Sequence, residues 1–212
     1  MKLGVVQFPG SCDEADALAA CARVGDAVLL WHGDHDLKGV DAIVVPGGFS
    51  YGDYLRVGAI ARFSPVMQEV AAFAADGGPV LGICNGFQVL CEAGLLPGAL
   101  LPNEKLRFVC RQVSLDVVDR DTAWTRGIDE GRQLSIPVKH TTGRYYAPDP
   151  VRVVFRYASG ENPNGSQDDI AGVANDPGNV VGLMPHPEHA VDVLHSSVDG
   201  LALFESAGAL VH

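Results

Sequence analysis

Positive charge is scarce in this sequence. Lys and Arg number 15 against 26 Asp and Glu, leaving a formal charge of −11. Such a field repels phosphate backbones, so nucleic-acid binding by cationic neutralisation is excluded. Anionic membrane surfaces are disfavoured for the same reason. No apolar run approaches the ~20 residues that a membrane-spanning helix requires. The opening stretch Leu3 to Phe8, broken by Gly4 and Gln7, is too short and too polar for a secretory leader. The cysteines (Cys12, Cys21, Cys84, Cys91, Cys110) are odd in number, and none has the two-residue spacing of zinc or dithiol sites. A reducing cytoplasm is the expected setting. Repeats, low-complexity tracts and a linker are also missing, so one domain over residues 1–212 is expected.

Apolar residues make up 47% of the chain, and 25 Gly and 13 Pro fall at the ends of short segments. That is the punctuation of a protein with many brief elements. Leu3–Phe8, Ala27–Trp31, Ala42–Val45 and Pro79–Ile83 are apolar runs bounded by turn residues, and read as buried parallel strands. Asp13–Val24, with acidic residues at its start, a segment from Ser64-Pro65 to Gly77, and Gly86–Ala93 read as the intervening helices. Strand and helix in alternation predict an α/β fold with a parallel sheet and helices on both faces. Leu106–Val118, Val151–Tyr157, Asp169–Ala174 and Val180–Met184 are β-rich and read as antiparallel additions to the sheet's edge. A helical stripe over Ser196–Gly208 closes the chain.

The most informative segment is Gly82-Ile83-Cys84-Asn85-Gly86. A strand runs into Gly82, one nucleophilic residue follows, and Gly86 opens a helix, which is the nucleophile-elbow arrangement with Cys in place of Ser. The helix N-terminus there favours a thiolate. A thiolate nucleophile needs a base and an orienting group. Met184-Pro185-His186-Pro187-Glu188 supplies both, at the end of a predicted strand. With Pro187 in extended backbone, His186 and Glu188 point to the same side, and a Cys84, His186, Glu188 triad follows. A metal set from His186, Glu188 and His189, or from His32, Asp34 and His35, lacks the i, i+4 spacing of zinc motifs and ranks lower. Pro46-Gly47-Gly48 ends another strand at the same sheet edge. No Lys-Ser or Lys-Thr follows it, so it is no nucleotide loop. The N–H groups of Gly48 and Asn85 suit an oxyanion hole instead.

With these three segments in this order, the chain resembles the class I (triad) glutamine amidotransferases. Phe8-Pro9-Gly10-Ser11, Gly47–Asp53, Phe108-Val109-Cys110-Arg111 and Asn162-Pro163-Asn164-Gly165-Ser166 narrow the resemblance to the glutaminase subunits of phosphoribosylformylglycinamidine synthases, over almost the whole length. The resemblance implies a three-layer flavodoxin-like fold and makes Cys84 the nucleophile, His186 the base and Glu188 its orienter. Gly48 and Asn85 become the oxyanion donors, and Gln88 helps to shape the glutamine pocket. It further implies a large synthetase subunit that uses ATP and Mg, a small third subunit, and no cofactor bound by this chain. Two departures stand out: Thr141-Thr142 where the family usually has Gly-Glu between His140 and Gly143-Arg144-Tyr145, and His189 where it usually has Arg.

Overall fold

The four apolar runs of the first half become β1 (Lys2–Gln7), β2 (Asp26–Trp31), β3 (Ala42–Val45) and β4 (Val80–Ile83), all parallel, in the order β2-β1-β3-β4. The computed structural model describes residues 1–208. Helix α1 (Glu14–Cys21) follows β1, α2 (Pro65–Ala75) follows β3, and α3 (Asn85–Glu92) follows β4. The chain leaves β1 towards one sheet edge and β3 towards the other. Right-handed crossovers therefore set α1 and α2 on opposite faces. Between β1 and β3 the strand order reverses, and the carboxyl ends there open a crevice, the usual ligand site of such sheets.

The second half adds β5 (Ala99–Pro102), β6 (Val109–Val117), β7 (Gln133–His140), β8 (Thr142–Tyr146), β9 (Arg152–Tyr157), β10 (Ile170–Ala174), β11 (Val180–Leu183) and α4 (Leu201–Gly208). β11, expected as an antiparallel edge addition, instead lies parallel beside β4 inside the sheet, because its tight turn from the antiparallel β10 reverses the chain to run with β4; β10, β9, β6 and β7 continue the sheet to make nine strands. β5 and β8 form a separate antiparallel pair. This is the expected α/β architecture. Every residue of β3, β4, β10 and β11 is buried, which is why these strands read as continuous apolar runs. Phe87 of α3 stacks on Tyr145 of β8 at 5.7 Å between ring centroids, joining the small sheet to the large one.

Three strands were not foreseen. β7 carries Pro137, which argues against a central strand, but β7 is an edge strand, where proline is tolerated. β5 is only four residues long, and β8 is short and contains Gly143. The last helix begins at Leu201 rather than Ser196. Before it, the Asp199 carboxylate accepts from the Ser135 N–H and from Arg132, and Gly200 lies against the Pro187 backbone where a Cβ would collide. Those contacts hold the preceding residues out of the helix.

Candidate active site

Cys84 sits between β4 and α3 with φ 51° and ψ −104°, a strained conformation for a residue with a side chain. Its N–H is held by the Leu183 carbonyl of β11 at 2.8 Å. The turn closes only because Gly86 has no side chain, since a Cβ there would fall on the Val45 carbonyl oxygen. The elbow predicted from Gly82 and Gly86 is therefore formed. Cys84 lines a cavity of about 600 Å³, together with Gly48, Gln88, Lys139, His140 and His186.

His186 follows β11, and its N–H donates to the Pro137 carbonyl of β7 at 2.8 Å. Its Nδ1 lies 2.6 Å from Glu188 Oε1, and both residues are 1% exposed. The intervening backbone is not extended as expected. Pro187–His189 makes a 3-10 turn, and the carboxylate reaches the ring from within that turn. Burial alone disfavours an imidazolium here, but the negative charges of Glu188 and of a Cys84 thiolate outweigh it and push His186 up to about 10. The other nitrogen, Nε2, is buried and makes no hydrogen bond among the described residues.

Gly48 has φ +147°, and a Cβ there would lie within 2.8 Å of Cys12 N, Gly10 O and Ser11 Cα, so glycine is required. The N–H groups of Gly48 and Asn85 make no hydrogen bond among the described residues. The Asn85 side chain accepts from the Ser50 N–H at 3.0 Å and donates to Gln88 Oε1 at 2.9 Å. Gln88 in turn donates to the Thr142 carbonyl. Asn85 and Gln88 thus link the loop after β3 to β8, with Gln88 and Thr142 lining the cavity. Asp53 joins this network through Asn85, and its burial pushes its carboxyl up despite that bond.

Three residues in or beside the site escaped sequence reasoning. Asp13, read as part of the acidic start of a helix, precedes α1 and caps nothing with its side chain. Its Oδ1 instead takes Lys139 Nζ at 2.5 Å and His189 Nε2 at 3.2 Å, and its Oδ2 lies 3.7 Å from His186 Nδ1. Burial works against its charge, yet these partners hold its carboxyl well below the usual range. Lys139 rises above its ordinary value, because Asp13 outweighs the cost of its own burial. His140 drops to about 4 through burial and the nearby charge of His186. Its Nε2 lies 3.0 Å from Asn164 Nδ2, and its Nδ1 is buried without a partner among the described residues. The signal for Asp13 was positional, since it follows β1 at the same crevice as the two glycine loops.

Asp13, His186, Glu188 and His189 each bring one possible metal-ligand atom within 4.8 Å of the others. The Lys139 ammonium already balances this group through Asp13. The other proposed set does not assemble in this way, since His32 bonds Tyr51 and His35 bonds Glu69.

The chain is similar to known glutamine amidotransferases. Residues 1–207 match the family model described as the CobB/CobQ-like glutamine amidotransferase domain. The chain is 60% identical over 216 residues to the "Phosphoribosylformylglycinamidine synthase subunit PurQ" of Mycobacterium bovis, covering 97% of this chain and 96% of that one. It is 58% identical to the protein of that name from Rubrobacter xylanophilus over the full length of both. In three dimensions it superposes on a chain from the "Structure of PurLQS from Thermotoga maritima" with a TM-score of 0.95 and 43% identity, covering 100% of this chain and 99% of that one. A glutamine amidotransferase from the same organism, 17% identical with a TM-score of 0.61, shares the fold.

Proposed function

The chain belongs to the CobB/CobQ-like glutamine amidotransferase family, and from that membership we propose that it is the glutaminase subunit of a phosphoribosylformylglycinamidine synthase, with Cys84, His186 and Glu188 as its catalytic triad. The observation that carries the reading is the strained Cys84 at a helix start, on one cavity with an imidazole whose Nδ1 is held by a buried carboxylate.

The Cys84 thiolate attacks the side-chain amide carbon of glutamine. The carbonyl oxygen becomes an oxyanion, met by the N–H groups of Gly48 and Asn85, and such donors contribute about 3 kcal/mol each. The C–N bond breaks as the His186 imidazolium gives its proton to the departing nitrogen, leaving ammonia and a γ-glutamyl thioester. His186, now neutral, takes a proton from water as the water attacks. The S–C bond breaks and glutamate leaves. Gln88, held by its hydrogen bond to Asn85, shapes the pocket.

Ammonia release does not by itself turn formylglycinamide ribonucleotide into the amidine, because the amide oxygen must first be activated. We assign that step, with its ATP and Mg, to a large synthetase subunit, with a small third subunit in the same complex. The names of the relatives and the close superposition on a chain of PurLQS from Thermotoga maritima support this partnership. Residues 1–212 are read as one amidotransferase domain acting in the cytoplasm. No described helix is long and apolar enough to cross a membrane.

The test uses the assembled complex. Cys84→Ala should abolish glutamate release from glutamine and leave synthesis from free ammonia intact. Glutaminase activity surviving that substitution would overturn the triad.

A further inference from the structure

Asp13 lies outside the triad yet reaches it from the opposite side of the crevice. Its N–H and that of Cys12 both donate to the Gly47 carbonyl, at 3.3 and 3.2 Å. In a trans peptide the N–H points opposite to its C=O, so these two bonds direct the Gly48 N–H away from the Cys12–Asp13 loop. Gly47 itself is wedged between the Asp13 carboxylate and the His186 ring. A Cβ there would strike Asp13 Oδ2 and come to 2.7 Å from His186 Cε1. Asp13 is 3% exposed, so its charge is not dispersed into water. It is balanced by Lys139 from β7 and by His189 from the catalytic turn.

We propose that Asp13 is a positioning residue for His186, a second carboxylate that lies 3.7 Å from its Nδ1, holds His189 beside the ring and favours the protonated imidazole before ammonia departs. The proposal rests on the triad assignment. The charged groups around the imidazole are Glu188 and His189 from its own turn, Asp13 from the loop after β1, Cys84 from the elbow and His140 from β7, with the Lys139 ammonium of β7 behind Asp13, 2.5 Å from its Oδ1. Asp13 and Lys139 act on the ring in opposite senses. A negative charge favours the imidazolium, and an ammonium opposes it.

The experiment measures glutamine hydrolysis by the assembled complex across pH for wild type, Asp13→Asn and Lys139→Met, with co-elution of the subunits as a check on assembly. Asp13→Asn keeps the backbone bonds to Gly47 and removes the charge. Its kcat should fall on the order of tenfold with KM nearly unchanged. The alkaline limb of kcat/KM, where His186 loses its proton, should move down by roughly one pH unit. Lys139→Met should move the same limb up, so the two shifts carry opposite signs. A purely structural Asp13 would lower thermal stability without moving either limb. Coincident pH profiles in wild type and Asp13→Asn would overturn the proposal, and if Asp13→Asn fails to assemble, the double variant Asp13→Asn/Lys139→Met, which leaves neither charge buried alone, is read against Lys139→Met, with its limb expected lower and a coincident limb overturning the proposal. Cys84→Ala in parallel separates the two readings: hydrolysis persisting there overturns the triad, whereas its loss beside unshifted profiles overturns only the role of Asp13.

Discussion

Glu188 Oε1 lies 2.6 Å from Nδ1 of His186, and neither residue has more than 1% of its surface exposed. A charged hydrogen bond in so dry a place is stronger than its counterpart in water, and it leaves Nε2 as the nitrogen free to act. Glu188→Gln keeps the volume and removes the charge. The kcat for glutamate release in the complex should drop about a hundredfold or more, while ammonia-dependent synthesis stays at the wild-type level.

The same pair makes stability depend on pH on the alkaline side. His186 is raised from 6.5 to about 10 in the fold, so its imidazolium stabilises the native state fully below pH 6.5 and ceases to do so as pH rises through 10. Thermal melts should therefore show a Tm that declines between those values, and His186→Gln should flatten the decline.

His140 produces the opposite slope on the acid side. Its neutral form is held down to about 4, whereas the unfolded chain takes up a proton below 6.5. This contribution is present above pH 6.5 and is lost as pH falls towards 4. His140→Asn should remove part of the acid-side loss of Tm, measured against wild type in the same buffers.

Gly86 tolerates no side chain, because a Cβ would meet the Val45 carbonyl oxygen. Gly86→Ala should destabilise the protein by roughly 3 kcal/mol, read as a lower denaturant midpoint. The alkylation rate of Cys84 should fall with it as the elbow opens. An unchanged midpoint would mean that α3 can shift without cost.

At the mouth of the cavity, Leu55 is 92% and Phe108 54% exposed, an uncommon display for large apolar side chains beside a site. Leu55→Asp should weaken binding to the large synthetase subunit by tenfold or more, roughly 1.4 kcal/mol at the least. Its own Tm should stay as in wild type. Titration of one subunit with the other provides the affinity.

The parallel half of the sheet was legible because its strands are buried on both faces, so Ala42–Val45 and Val80–Ile83 read as unbroken apolar runs between glycines and prolines. The positions of Cys84, His186, Glu188, Gly48 and Asn85 at one edge followed from those strands and their turns. β7 was hidden by Pro137, whose cost vanishes only because the strand lies at the edge, a fact of topology rather than of local pattern. Asp13 and Lys139 were hidden for a related reason. Each is an ordinary surface-type residue by sequence, and only the approach of the loop after β1 to the distant strand β7 sets one against the other.

Strand β11 takes its place between β4 and β10, so Val80 pairs with Val180 in the middle of the sheet. During synthesis the parallel strands β1 to β4 emerge long before this neighbour exists, and β4 must wait with one edge open. Two sub-sheets are then sealed along a single seam, and Cys84 stands on one side of it and His186 on the other. Long-range parallel closure of this kind is slow and leaves an unpaired edge available to other chains. A newly made molecule therefore has a thiol before it has a base. Cys84 and His186 come together only where β11 pairs with β4, so on the proposed triad a chain in which this seam is open should be inert towards glutamine.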